Sequence, residues 1–138
     1  MRCFISIVFF ILITTGLSAQ TNFEVITSED SGKGSLRQAI LMANAAEFPA
    51  EISFNIPGPG PHIIKLNEQL PPINKTLKIN GFSQPGSSKI YPQILIDCNN
   101  TSEGFIYLDE APLQDIKGVI VITSPEMLAY ELSYVFSK

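Results

Sequence analysis

Between residues 50 and 122 the chain consists of short apolar runs separated by proline, glycine and asparagine corners, and this pattern constrains the fold more than any other feature. Ile52-Ser53-Phe54-Asn55-Ile56 alternates apolar and polar residues strictly, and Pro57-Gly58-Pro59-Gly60-Pro61 is a stiff corner after it. His62 to Leu66 is the next run and Pro71-Pro72 the next break. Thr76 to Asn80 alternates again and stops at Gly81. Gln93 to Cys98, Phe105 to Leu108 and Gly118 to Ile122 complete the set. Alternation at period two marks strands with one buried face. Short strands at fairly even spacing suit a sandwich, a barrel or a solenoid. No Asn-Gly or Asp-Gly dipeptide joins adjacent runs directly, since a long loop follows Asn80-Gly81. The missing two-residue hairpins favour a coil that turns the same way at each corner, with inward aliphatic residues stacked in ladders.

Ahead of these runs, Asn22 to Thr27 reads as a strand and Ser28 to Gly34 as a polar, glycine-punctuated loop. Ser35 then opens a helix. It is an N-cap candidate with Gln38 at the capping-box spacing. Leu36, Ala39, Ile40 and Ala43 form one apolar face, and Pro49 marks where the helix has ended. At the other end, Ser124-Pro125-Glu126 is a helix start, and Leu128, Leu132, Val135 and Phe136 form a stripe, so Pro125 to Phe136 reads as a second helix.

The first 19 residues have the form of a signal peptide. Arg2 supplies the charge, Phe4 to Ile13 the apolar core, and Thr14 to Ala19 the small and polar tail. The core is shorter than the about 20 apolar residues of a spanning helix. Cleavage after Ala19 removes Arg2 and leaves eight basic against 13 acidic residues, a net charge of −5. That balance speaks against nucleic acid or an anionic membrane as partner. It also leaves Cys98 as the single cysteine, which excludes an internal disulfide. The expected organisation is a signal peptide over 1–19, an N-terminal strand and capping helix over 20–49, strand rungs over 50–122 and a helical tail over 123–138. Localisation is expected to be secreted or at the cell surface, by the general secretory route.

Several stretches in order resemble a bacterial secreted family. They are Asp30-Ser31-Gly32-Lys33-Gly34-Ser35-Leu36-Arg37-Gln38-Ala39-Ile40, Ala43-Asn44-Ala45, Ile52 to His62, Leu70-Pro71-Pro72-Ile73, Ile79-Asn80-Gly81 and Gln84-Pro85-Gly86. Together they look like the opening segment of right-handed parallel β-helix proteins of the pectin-lyase-like superfamily. The resemblance implies an all-β fold with a capping helix, a truncated or very short solenoid, and a second short helix at the C-terminus. It assigns the cap to Ser35, Leu36, Gln38, Ala39, Ile40 and Ala43, with Arg37 pointing out or pairing with a carboxylate. In function it implies an extracellular structural or interaction module, the capped N-terminal part of a surface or adhesin-like β-helix protein. The alternative is a fragment of a secreted polysaccharide lyase or glycoside hydrolase. A third reading is a carbohydrate-binding module using Tyr91 and Tyr107. The partners implied are an extracellular polysaccharide or a host or cell-surface ligand.

The residues carry no catalytic constellation. His62, the lone histidine, sits in a Pro/Gly corner and is expected to be structural. Asp97 and Asp109 are the candidates for an acidic outer-face site, with Glu110 and Asp115 nearby. Such a face would take Ca2+, but no calcium-loop spacing is present, and no cofactor or metal ligand is assigned. Cys98 ends an alternating strand and reads as a small buried hydrophobe. Asn74-Lys75-Thr76 and Asn99-Asn100-Thr101 read as exposed turns. The helix cap accounts for Ser31, Gly32, Gly34 and Ser35 without a phosphate. The export reading has a direct check: N-terminal sequencing of protein recovered outside the cell should begin at Gln20 or within a few residues of it, and intact Met1 protein in the membrane fraction would contradict it.

Overall fold

The computed structural model describes residues 20–99, 101 and 115–123. The expected signal peptide, the strand over 105–108 and the tail helix over 125–136 lie outside these residues. The described chain runs β1 (Thr21–Val25), α1 (Leu36–Ala45), β2 (Ala50–Phe54), β3 (His62–Lys65), β4 (Leu77–Asn80), β5 (Ile94–Asp97), β6 (Asp115–Lys117) and β7 (Val119–Ile122), with a 3-10 turn at Gly81–Ser83. β1, β2, β4 and β6 form one sheet in that order, and β3, β5 and β7 form a second. Every pair is parallel. Parallel neighbours need a crossover. Here α1 provides the first, and after β2 the chain alternates between the two sheets.

This corrects the expected architecture. Among the described residues there are two small parallel sheets and one helix, an α/β arrangement, and no three-sided β-helix solenoid of the pectin-lyase-like kind is evident. The corners supply the physical reason. Pro57, Pro59, Pro61, Pro71 and Pro72 have no backbone N–H to give to a ladder. The intervening segments therefore remain turns and loops, and no third sheet forms from them.

The registers explain the core. Ile52 lies between Phe23 and Ile79, Ala50 between Thr21 and Leu77, and Val25 beside Phe54. In the second sheet Ile96 lies between Ile64 and Val121, and Ile94 between His62 and Val119. In-register pairing thus stacks aliphatic side chains on like side chains, and Ile52, Ile64, Ile79, Ile94 and Ile96 are all fully buried. β6 has no counterpart in the sequence reading, because Asp-Ile-Lys has one apolar residue and too little length to show a period.

α1 starts where the cap chemistry puts it. Ser35 is extended, its Oγ accepts from Gln38 N and its hydroxyl donates to Gly32 O at 2.8 Å. Gln38 Oε1 accepts from Gly34 N at 2.7 Å, one residue earlier than the usual capping-box partner. The helix ends at Ala45, before Pro49. Leu36, Ala39, Ile40 and Ala43 are buried against the sheets, with Leu36 and Ile40 at 0% exposure. Asn44 and Lys75 tie the far end down: Asn44 Nδ2 donates to Pro72 O, its Oδ1 accepts from Asn74 N, and Lys75 Nζ donates to Ala46 O.

One close approach depends on glycine. A Cβ on buried Gly81 would stand 2.1 Å from Gly118 O, and Gly118 itself is left-handed with φ +68°. The turn after β4 and the β6–β7 junction meet there without side chains between them. Ile40→Ala should therefore cost about 2–5 kcal/mol by leaving a cavity under the helix, and Gly81→Ala about 1–3 kcal/mol by overpacking. Denaturant titration of both variants measures these losses.

Candidate functional site

Arg37 stands behind an open polar cleft, bonded to Asp30 on its wall. It leaves the first turn of α1 and its side chain is largely buried. Its guanidinium donates to Asp30 Oδ1 at 2.7 Å, Asp30 O at 3.3 Å, Gln69 O at 2.6 Å and Glu68 O at 2.8 Å. The Asp30 side chain is only 10% exposed, so this is a mostly desolvated ion pair. Arg37 thereby ties the loop before α1 to the loop after β3.

Between those two loops lies an open cleft of about 360 Å³, lined by Ser28, Glu29, Asp30, Ser31, Ile63, Lys65 and Asn67. Lys65 points outward from β3 and is exposed, and it forms no ion pair among the described residues. A cation, two hydroxyls, an amide and the Glu29 carboxylate thus face one small space. The sequence offered no signal for this cleft. Lys65 reads as an ordinary outward strand residue, and residues 28–31 as a loop.

The residues singled out from sequence stand elsewhere. His62 is buried at the start of β3, and its Nε2 lies 3.1 Å from Gln84 Nε2. Gln84 is itself buried. Its Oε1 accepts from Ile56 N and its Nε2 donates to Ile56 O. The remaining Gln84 N–H reaches His62, so Nε2 of the ring accepts and the neutral form carries its proton on Nδ1. Gln84 lies in a Pro/Gly loop with no period to flag it as a buried hydrogen-bonding hub. Asp97, expected on an outer face, is 5% exposed, and its Oδ1 accepts from Asn99 N at 3.0 Å. Its carboxylate closes a turn at the end of β5. Asp115 pairs with Lys117 on β6. Cys98 is buried, and burial pushes its thiol up, helped by the Asp97 charge. Asp109, Glu110 and Tyr107 lie outside the described residues, and Tyr91 is half-buried. No group of three or more His, Cys, Asp or Glu among the described residues is placed to hold a metal ion.

On the outer face of the first sheet Glu51 accepts from Gln20 Nε2, Lys78 Nζ and Asn80 Nδ2. Partial burial works against its charge, but these bonds outweigh it and hold the carboxyl below its ordinary value. These bonds tie Glu51 to three partners within the fold.

Comparison with known proteins places this geometry in a different context from the expected one. No family model matches the chain, and no solved structure matches it. Over 95 residues it is 35% identical to a curated protein of Acinetobacter baylyi named 3-dehydroshikimate dehydratase. The match takes 67% of this chain and 19% of that protein, so the chain spans less than a fifth of its relative's length. A stretch covering two thirds of the chain has to include its middle, and with it β3 and Lys65. The similarity overturns the expected function: the relative is a named dehydratase, not an adhesin-like module, and not a polysaccharide lyase or glycoside hydrolase of the pectin-lyase-like superfamily.

Burial lowers the His62 pKa. The folded state therefore favours the neutral ring, whereas the unfolded chain takes up a proton near about pH 6.5. Below that value the unfolded state binds more protons, so stability should fall as pH drops from 7.5 toward 5.5. His62 is the single histidine in the chain, so His62→Met should flatten the melting temperature across this range, whatever its overall cost. A slope that persists in the variant would assign the effect to another group.

Proposed function

We propose that this chain forms part of a dehydratase-related protein, and that its polar cleft holds a small hydroxylated carboxylic acid. The observation that carries the reading is the 35% identity to the protein named 3-dehydroshikimate dehydratase, over a stretch that includes β3. The cleft adds chemical sense to it. The Lys65 ammonium meets the ligand carboxylate. Ser28, Ser31 and Asn67 offer donors and acceptors to its hydroxyls. Dehydration removes a proton from carbon and a hydroxyl from its neighbour, and so needs a base and an acid in reach. Glu29 is the cleft residue of suitable type for the base, while Lys65 holds the carboxylate. Arg37 acts behind the cleft as a positioning residue, since it holds both walls through Asp30, Glu68 and Gln69.

The test uses the chain with 3-dehydroshikimate as probe. Saturable binding by calorimetry is expected. Lys65→Met should weaken it at least about tenfold, the scale of one lost charge-assisted contact, with the thermal melt unchanged because Lys65 is exposed. Chromatography of the same mixtures follows loss of the acid. Absence of binding, or equal binding by the Lys65 variant, would overturn the assignment of the cleft.

A further inference from the structure

The polar cleft has a charged neighbour that does not line it. Ile63 and Lys65 both line the cleft, so the outward face of β3 opens into it. β3 pairs with β5 in parallel register, with Ile63 beside Leu95 and Lys65 beside Asp97. Register partners in adjacent strands stand about 5 Å apart and point to the same face. Leu66 N donates to Asp97 O at 2.9 Å and holds the ladder together at this point. β5 in turn sets Asp97 beside Ile122 of β7. One line of side chains thus runs from exposed Lys65 through Asp97, which is 5% exposed, to fully buried Ile122.

The Asp97 carboxylate accepts from Asn99 N at 3.0 Å and forms no ion pair among the described residues. Leu95 and Ile122, buried on the same face, give it apolar neighbours in the sheet. Its charge is therefore weakly screened through the protein and is felt at the adjoining cleft. The cations nearby are few. Arg37 is engaged by Asp30 at 2.7 Å and by Glu68 at 3.8 Å. Lys33 lines a separate apolar groove between β1 and α1. Lys65 is thus the free cation of the cleft among the described residues, and two carboxylates accompany it: Glu29 in the lining and Asp97 beside it in the sheet.

We propose that Asp97 makes the cleft selective for acids that carry a single negative charge. The proposal rests on the reading of the cleft as a hydroxy-acid site and names the charge class which that site accepts. One ligand carboxylate meets Lys65. A second anionic group, carboxylate or phosphate, finds no free cation in the lining and is repelled by Glu29 and Asp97. Asp97 acts without touching the ligand. Its burial and its bond to Asn99 N fix the charge in place, whereas an exposed side chain would turn toward water. It is a specificity-determining residue acting through its field. Ser28, Ser31 and Asn67 are uncharged, so the contacts they offer to ligand hydroxyls do not depend on it.

The probes are shikimate, with one carboxylate, and shikimate-3-phosphate, the same ring with a phosphate added. Calorimetry with the whole chain at low salt should show shikimate binding at least about tenfold tighter. Asp97→Asn removes the charge and keeps an oxygen that accepts from Asn99 N. It should tighten shikimate-3-phosphate at least about fivefold more than shikimate, and this excess should shrink between about 0.02 M and about 0.5 M salt, as expected of a charge effect. Asp97→Ser, whose hydroxyl also accepts from a backbone N–H two residues on, replaces the amide variant if thermal melting shows that variant unfolded. An unchanged ratio with both probes bound, a change in ratio that salt does not alter, or tighter binding of shikimate-3-phosphate by the unaltered chain would overturn the role of Asp97 and leave the cleft assignment standing. Binding of neither probe to any of these proteins would overturn the cleft assignment and this proposal with it.

Discussion

In-register parallel pairing of β1, β2 and β4 is the constraint on which the other features rest. It sets Phe23, Ile52 and Ile79 in one line and Thr21, Ala50 and Leu77 in another. A slip of one residue would turn each buried aliphatic side chain out to water and bring Glu51 or Lys78 inward. The same pairing aligns the polar outer positions, so that Gln20, Lys78 and Asn80 converge on Glu51. The second sheet repeats the device with Ile64, Ile96 and Val121. α1 then has a continuous apolar surface on which to lay Leu36 and Ile40.

Once α1 is seated, the loops around it become walls. Arg37 cross-links the loop over residues 28–34 to the turn after β3: three of its hydrogen bonds satisfy carbonyls that would otherwise face a partly buried space, and the fourth goes to the Asp30 carboxylate. The polar cleft on one side of that loop and the apolar groove on the other are both consequences of this arrangement. They differ in chemistry because residues 28–31 are polar, whereas Phe23, Ala39 and Met42 supply the other lining. A polar cleft with a free ammonium suits a small acid.

Lys65 lines the open cleft. The buried polar groups have other work. Gln84 satisfies the backbone N–H and C=O of Ile56 and reaches His62, whose burial lowers the pKa of the imidazole. Asp97 closes a turn. Sequence reading treated Asp97 as an outer-face candidate because strand alternation does not tell a residue at the end of a strand whether the chain will fold back over it.

Local chemistry was written in the residues themselves. Strict alternation at Ile52–Ile56 and Thr76–Asn80 located strands, and Ser35, Gln38 and the Leu36/Ile40 spacing located the helix and its buried face. These signals lie within a few residues of one another, and short-range geometry decides them. Which strands pair, and into how many sheets, depends on contacts between residues about 30 positions apart, as in Thr21 with Ala50. Periodicity carries no address for such a partner, so the expected solenoid gave way to two sheets and a helix. The cleft and the Gln84 hub were hidden for the same reason. Lys65, Ser28, Gln84 and His62 acquire their roles only from what folding brings beside them, whereas a strand or a cap is already determined by its own neighbours along the chain.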